Sequence, residues 1–597
     1  MADSPLLGST GVLTLNILSD GSALADTIQI VSVETNCSVN KIPFSKIILL
    51  DGDVPTGDFP VSDADSFKPG AEITINAGYD SDTKTIFKGL VIKHSLKIAE
   101  NGSTLIVQCK DSAVAMTVGR KNANYVDSKD SDVMRGLVGN YSGLSSDVDA
   151  TTTSHKELVQ YYCTDWDFML ARAEANALLV TVDEGKVSVK APQVSGEAVL
   201  TLTYGTDLLS FDADLDASAQ FTTVKGTSWD ITNQAIQEEQ ASPETLTAQG
   251  DINSATLAKV IGPDTFTLQT DVPLESVELA DWVKGQQIKS GLARIRGRAT
   301  FQGSAKVKIG DLVELKGVGN RFNGNVLVTA VKHFINDGNW STEVVFGLSP
   351  QWFTEQTRVD APIASGLIPG VTGLQIGVVK KIDEDPENQY KIQVSVPVMQ
   401  AETEGVWARL ACFYNSSGHG AFFIPDVGDE VVLGYFNNDP SYPVILGCMY
   451  SSGRKSPYDI TADNYTKAIV TKSEMKLEFD DENKVITLVT PGKNTIVISD
   501  KDQSILLQDQ NDNKVELSAS GILMDSPKDI QIKAQGKVTI DATDNVEITS
   551  TADIKNSGLN INNEANIGFV AKGNATAELS ASGQTTVKGI MVMINSL

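Results

Sequence analysis

The four histidines are the first place to look for acid–base or metal chemistry, and their spacing supports neither. His94, His155, His333 and His419 lie far apart in the 597-residue chain, and none sits in an HExxH pattern or beside a metal-spaced cysteine. His94 and His333 each end a similar stretch in Lys-His, which assigns both a structural place. Five cysteines, Cys37, Cys109, Cys163, Cys412 and Cys448, form an odd set without CxxC spacing and read as buried free thiols of a reducing compartment. Ser9 is followed directly by Thr10 and Gly11, so no GxSxG elbow forms. The run GVGNRFNG from Gly317 misses GxGxxG, because Phe322 stands where the third glycine belongs. The loop DQNDNKVELSAS from Asp509 starts like a calcium loop, but Lys514 replaces its glycine and Ser520 its final glutamate, so a turn between strands is expected. Carboxylate pairs such as Asp51 with Asp53 and Asp383 with Asp385 read as solvated loop faces. The residues therefore imply no catalytic group, no metal and no cofactor.

Charge narrows the function classes further. Lys plus Arg number 48 against 76 Asp plus Glu, a net charge of -28, which repels a phosphate backbone or an anionic bilayer. The start, MADSPLLGST, has neither a basic n-region nor an apolar h-region, and no run is long enough to cross a membrane as a helix, so neither a signal peptide nor a membrane span is expected. A hydrophobic share of 41% suits several packed domains.

The elements that would position any site are mainly strands: short Val, Ile and Thr alternations broken by Gly, Asn and Asp. The clearest helix covers Thr164 to Asn176, where Trp166, Met169, Leu170 and Ala173 share one face and Thr164 with Asp167 resembles a capping box. A duplication is legible. KPGAEITINAG from Lys68, FKGLVIKH from Phe87 and ENGSTLIVQC from Glu100 have counterparts in KIGDLVELKG from Lys308, FNGNVLVTAVKH from Phe322 and NDGNWSTEVVF from Asn336. This predicts two small antiparallel barrels, at 1–115 and 291–356, flanking a helix-containing region at 116–290 with an exposed polar insertion near 233–253. Residues 357–373, rich in Pro and Gly, form a linker. Residues 374–455 read as an OB-type barrel.

The last part, 466–597, changes character. Ile530, Val538, Val546 and Ile554 are spaced by eight, and Ile532, Ile540 and Ile548 repeat the step. One strand and one turn per octad cannot bury an apolar edge alone, so several copies must close around an axis, most simply three chains in a β-prism. At its end, Ile590, Met591, Val592, Met593, Ile594 and Asn595 form an apolar terminus on a polar rod.

This order resembles the VgrG family, the central spike of type VI secretion and related contractile injection systems, and is similar to the hub and needle of contractile phage tails. The residues carrying the resemblance are DWDFMLARAEANALLV from Asp165 and the run from Gly420 through PDVGDEVVLGYFNNDPSYPVILGCMY, including Gly428-Asp429-Glu430, Asp439-Pro440 and Pro443 to Gly447. The resemblance implies a homotrimeric, non-enzymatic spike that adapts a threefold needle to a sixfold tube and punctures a target envelope. It would be assembled in the cytoplasm and moved outward on contraction. Implied partners are an Hcp-like tube or baseplate hub at the N-terminal part, a PAAR-type cap on residues 590–595, effectors as passengers and, transiently, the target membrane; nucleic acid is not among them. About 15 residues separate Tyr450 from the first rod strands and the sequence runs to Leu597, which implies no fused enzymatic cargo. Two other classes fit parts of the pattern: a β-helix glycan or peptidoglycan hydrolase, and a trimeric adhesin or receptor-binding fibre. The short octad counts against the first, and the duplicated barrels against the second.

Overall fold

The computed structural model describes residues 3–6, 11–100, 102–242, 246, 249–262, 265–400 and 404–594. It divides into two compact units, Met1–Met449 and Tyr450–Leu597.

The first unit is mainly β, as the alternation of branched and polar residues requires. Strands Leu13–Ser19, Ile30–Ser38, Phe44–Leu50, Glu72–Tyr79, Asp82–Ala99 and Gly102–Lys110 wrap a core that includes Ile47, Leu49, Ile73, Ile75, Leu105 and Val107. Strands Ile295–Gln302, Leu312–Lys316, Gly324–Asn336 and Asn339–Phe346 wrap another around Phe301, Val313, Val328 and Phe346. Strands Leu200–Thr203 and Leu208–Leu215 join this second module, so it draws on residues well upstream of 291. The two modules share one sheet, because Ile30–Ser38 pairs antiparallel with Gly324–Asn336.

Hydrogen bonds confirm the duplication. Gly70 N–H donates to the Val91 carbonyl and Val91 N–H to that of Ala71; Gly310 with Val328 and Val328 with Asp311 repeat both bonds, all at 2.9 Å. Gly70 and Gly310 share a left-handed backbone, φ +98° and +88°, which favours glycine. The register slips just after Val91 and just after Val328, a β-bulge at the same place in each copy. With Val91 matched to Val328, His94 corresponds to Val331 and His333 to Leu96. The two histidines thus stand two residues out of register, on the same face of the strand, and the shared Lys-His ending misaligns them.

Between these modules the helix Asp165–Ala175 forms as its pattern predicts, and the Thr164 hydroxyl accepts from Asp167 N–H at 3.0 Å. The polar stretch after Asn233 is exposed but not a loop throughout: Ala235–Ala241 pairs with Thr223–Asp230, and Thr265–Gln269 lies on the other side. The helix Ser276–Ala293 packs across this small sheet at Gly226. A Cβ there would lie 2.5 Å from Val283 Cγ2 and 2.8 Å from Leu279 Cδ1, so the helix approaches as closely as only glycine permits. Five strands, Gln375–Lys381, Ile392–Ser395, Val406–Leu410, Glu430–Tyr435 and Pro443–Cys448, close the predicted small barrel around Val379, Val394, Val431, Leu433 and Ile445.

The second unit has a different construction. Seven strands of five residues, from Thr466–Val470 to Gly521–Asp525, form an antiparallel meander in chain order. Strands recur every nineteen residues, beginning at Thr466, Val485 and Ser504 and at Lys476, Thr495 and Lys514. The left-handed turn residues Glu474, Lys493 and Asp512 recur at the same step. In this stretch the backbone bonds close within the chain. From Ser526 to Ile594 the described backbone has no paired strand.

Candidate functional site

Several of the groups that could have done chemistry are used structurally. The Asp51 carboxylate is buried, not solvated, and accepts from the N–H groups of Gly52, Val61 and Ser62 at 2.7–3.0 Å, fixing its loop. Asp385 likewise accepts from Glu387, Gln389 and Lys391 N–H. Asp509 accepts from the backbone and side chain of both Asn511 and Asn513, which makes the calcium-like loop a strand-to-strand turn. His94 contacts Ser62 Oγ at 2.8 Å and the Phe67 carbonyl at 3.0 Å. His333 is buried beside Thr342, and desolvation lowers its pKa to about 4. His419 is exposed on a short hairpin. Among the cysteines, Cys109 and Cys163 are buried, Cys37 and Cys412 are half-buried, and Cys448 is exposed at the end of a barrel strand, so burial holds for part of the set. Burial pushes the Cys37 and Cys109 thiols up to about 12. No group of three or more His, Cys, Asp or Glu that could hold a metal occurs among the described residues.

A denser charge cluster joins the helices. The buried Asp130 carboxylate accepts from Arg172 Nε at 2.6 Å and Nη2 at 2.9 Å, from Asn176 Nδ2 at 2.9 Å, and faces His155 Nε2 at 2.8 Å. Glu278, on the long helix, approaches Arg172 Nη2 at 3.6 Å and His155 Nδ1 at 3.7 Å. Burial pushes the Asp130 carboxyl up, but Arg172, His155 and Asn176 outweigh it and hold the pKa below the usual range. The cluster fastens four elements together.

What the molecule presents besides these groups are exposed apolar surfaces. In the meander each pentapeptide is apolar at its second and fourth residues from Lys476 onward, and the register turns this into two continuous rows on one face. One row runs Ile469, Leu477, Leu488, Ile496, Leu507, Val515, Met524; the other runs Phe479, Ile486, Ile498, Ile505, Leu517, Ile522. Cross-strand partners share a face, so the sheet carries an apolar side that stays largely exposed among the described residues. Among the described residues from 450 to 594, Ser499 alone is buried. The nineteen-residue recurrence would have revealed these rows in the sequence.

The octads continue this pattern. Ile530, Val538, Val546 and Ile554 are each exposed to 53 or 54%, while Ile532, Ile540 and Ile548 are exposed to between 70 and 73%, so one local conformation repeats every eight residues. Residues 590–594 of the expected tip are exposed, and Asn595 lies outside the described residues. On the small barrel, Phe413, Tyr414, Phe422 and Phe423 stand exposed around the hairpin Asn415–Ser416 and His419–Gly420.

Residues 9–337 match the family of the Alg8 N-terminal domain, and residues 375–450 match the type VI secretion system/phage-baseplate injector OB domain. The chain belongs to the family of the Alg8 N-terminal domain, since that match covers more than half of it, and with its injector OB domain it is VgrG-like. Among curated proteins it is similar to the type VI secretion system spike protein VgrG1b of Pseudomonas aeruginosa, 27% identical over 207 residues, 32% of this chain and 26% of that protein. It is also 35% identical over 69 residues to the spike protein VgrG3 of Vibrio cholerae, 12% of this chain and 7% of VgrG3. The matches thus span about a quarter or less of those relatives' own lengths. Among solved structures, the tail protein from Neisseria meningitidis MC58 overlays 57% of this chain and 98% of its own with a TM-score of 0.44 at 11% identity. The E. coli c3393 protein, a component of the type VI secretion system, overlays 72% of this chain and 99% of its own with a TM-score of 0.36 at 11% identity. Among the described residues no helix is long and apolar enough to cross a membrane.

Proposed function

We propose that this chain is the structural spike of a contractile injection system, a homotrimer whose C-terminal unit forms a three-chain β-prism. The observation that carries the reading is the second unit itself. An apolar sheet face lies open, a 69-residue stretch lacks paired strands, and apolar residues recur at constant exposure every eight positions. Ordering a chain costs roughly 1–2 kcal/mol per residue in backbone entropy, which a unit without a buried core cannot offset alone. Three copies wound together would bury the β-branched residues and pair the backbone, leaving no lateral edge.

In this reading the duplicated modules supply six similar units per trimer, matching a threefold spike to a sixfold tube or baseplate hub. The apolar residues 590–594, with Asn595, would seat a PAAR-type cap that sharpens the point, and effectors would travel with it. Contraction of other proteins would drive the prism through the target envelope, so the chain itself needs no catalytic group. The injector OB match and the spike relatives support this role.

The test is the native mass in solution, beside a chain ending at Asp525. A trimer of the 63.8 kDa chain has a mass of about 190 kDa, and removal of the octads should weaken or abolish it. A full-length monomer would overturn the reading.

A further inference from the structure

Beside the small sheet of the first unit lies a groove of about 520 Å³. The sheet order places Thr265–Gln269 at one edge, paired in parallel only with Thr223–Asp230 among the described residues. Thr270 N–H donates to the Thr227 carbonyl at 3.0 Å. Backbone groups of successive strand residues face alternate sides, so Phe266 and Leu268 make the ladder bonds while Thr265, Thr267 and Gln269 turn their N–H and C=O groups outward.

The side chains of Phe266 and Leu268 line the groove together with Phe221, Trp282 and Trp352, and Ala171 and Ala175 belong to its small-residue part. These walls are held in place. Phe221 and Phe266 have ring centroids 4.7 Å apart, and Trp352 Nε1 donates to Gln286 Oε1 at 2.6 Å. Glu355 is the one formally charged residue of the lining. An open row of backbone donors and acceptors beside an apolar trough selects an extended peptide, because main-chain bonds along the edge and every second side chain in the trough are satisfied together.

We propose that this groove binds an extended segment of a partner protein, which adds as a fourth strand along Thr265–Gln269 and sets alternate apolar side chains against Phe266, Trp282 and Trp352. The rim carboxylate and the net charge of -28 select a segment with basic rather than acidic flanks. Every residue of this site belongs to the first unit.

The probe is a synthetic peptide of about eight residues in which valine and threonine alternate between terminal lysines. With the full-length protein it should slow deuterium uptake over 265–269 and shift tryptophan fluorescence, whereas a version with terminal glutamates should bind more weakly. Thr267→Pro removes one outward N–H and leaves the ladder bonds intact, so binding should fall at least about tenfold, while Thr267→Ala binds as the unaltered protein does. Trp282→Ala, on the groove wall, should weaken binding similarly and guards against a folding defect in the proline variant. Unchanged uptake with the peptide, or equal protection in both Thr267→Pro and Trp282→Ala, overturns the proposal. Protection of 265–269 without peptide that disappears when the assembly is diluted to single chains would assign the edge to a second copy of this chain, and overturns it too.

Discussion

At the residue scale, the groups that invited a catalytic reading hold the fold. His333 illustrates this with a measurable sign. Burial lowers its pKa from 6.5 to about 4, so the unfolded chain binds the proton more readily than the folded one. The stability linked to His333 is therefore intact above pH 6.5 and is lost as pH falls toward 4, by about 3 kcal/mol in all. Urea unfolding followed between pH 7 and 4 should show this slope, and His333→Gln should flatten it. The Asp130 cluster makes a second prediction. Arg172→Ala would leave a buried carboxylate without its bidentate partner, a loss of about 3–5 kcal/mol for such pairs, visible as a lower unfolding midpoint of the first unit.

At the scale of elements, close approach and register decide more than propensity. Gly226 lets the helix Ser276–Ala293 lie directly on the strand Thr223–Asp230. Gly226→Ala should cost about 1–3 kcal/mol through overpacking against Val283 and Leu279, read by thermal unfolding, and an unchanged midpoint would show that the helix can shift freely. The same helix was illegible in the sequence for a physical reason. Its buried face includes Gln286, Gln287 and Ser290 beside Leu279 and Val283, so its apolar period is broken by polar residues that only tertiary packing buries. The nineteen-residue hairpin repeat is carried in the sequence by the apolar second and fourth strand positions alone, because its turns share backbone conformation rather than residue types: Glu474, Lys493 and Asp512 all adopt positive φ.

For the whole molecule, the two units follow different rules. The first buries several apolar cores within one chain, whereas the second has a repeat and an apolar face but, among the described residues, no core of its own. In the proposed trimer the other copies would supply the missing core, and residues 590–594, the proposed cap site, are exposed. Deletion from Lys588 onward should abolish capture of a PAAR-type cap in a pull-down while leaving the native mass of the assembly unchanged. Capture equal to that of the full chain would remove the tip from the spike reading.

Local pattern was enough for much of this. The β class, the helix at Thr164, the closed small barrel, the duplicated Lys-x-Gly turns and the octad all follow from periods and turn residues, which depend on neighbours a few positions away. What tertiary structure alone decided depends on distant partners: the pairing of Ile30–Ser38 with Gly324–Asn336, the recruitment of residues 200–215 into the second module, the burial of Asp51 and Asp130, and the two-residue offset between His94 and His333. The groove beside Thr265–Gln269 belongs to the same group, since its walls come from segments as far apart as Ala171 and Trp352. Sequence spacing fixes which face a side chain takes along one element, but only the folded chain brings faces from separate elements together.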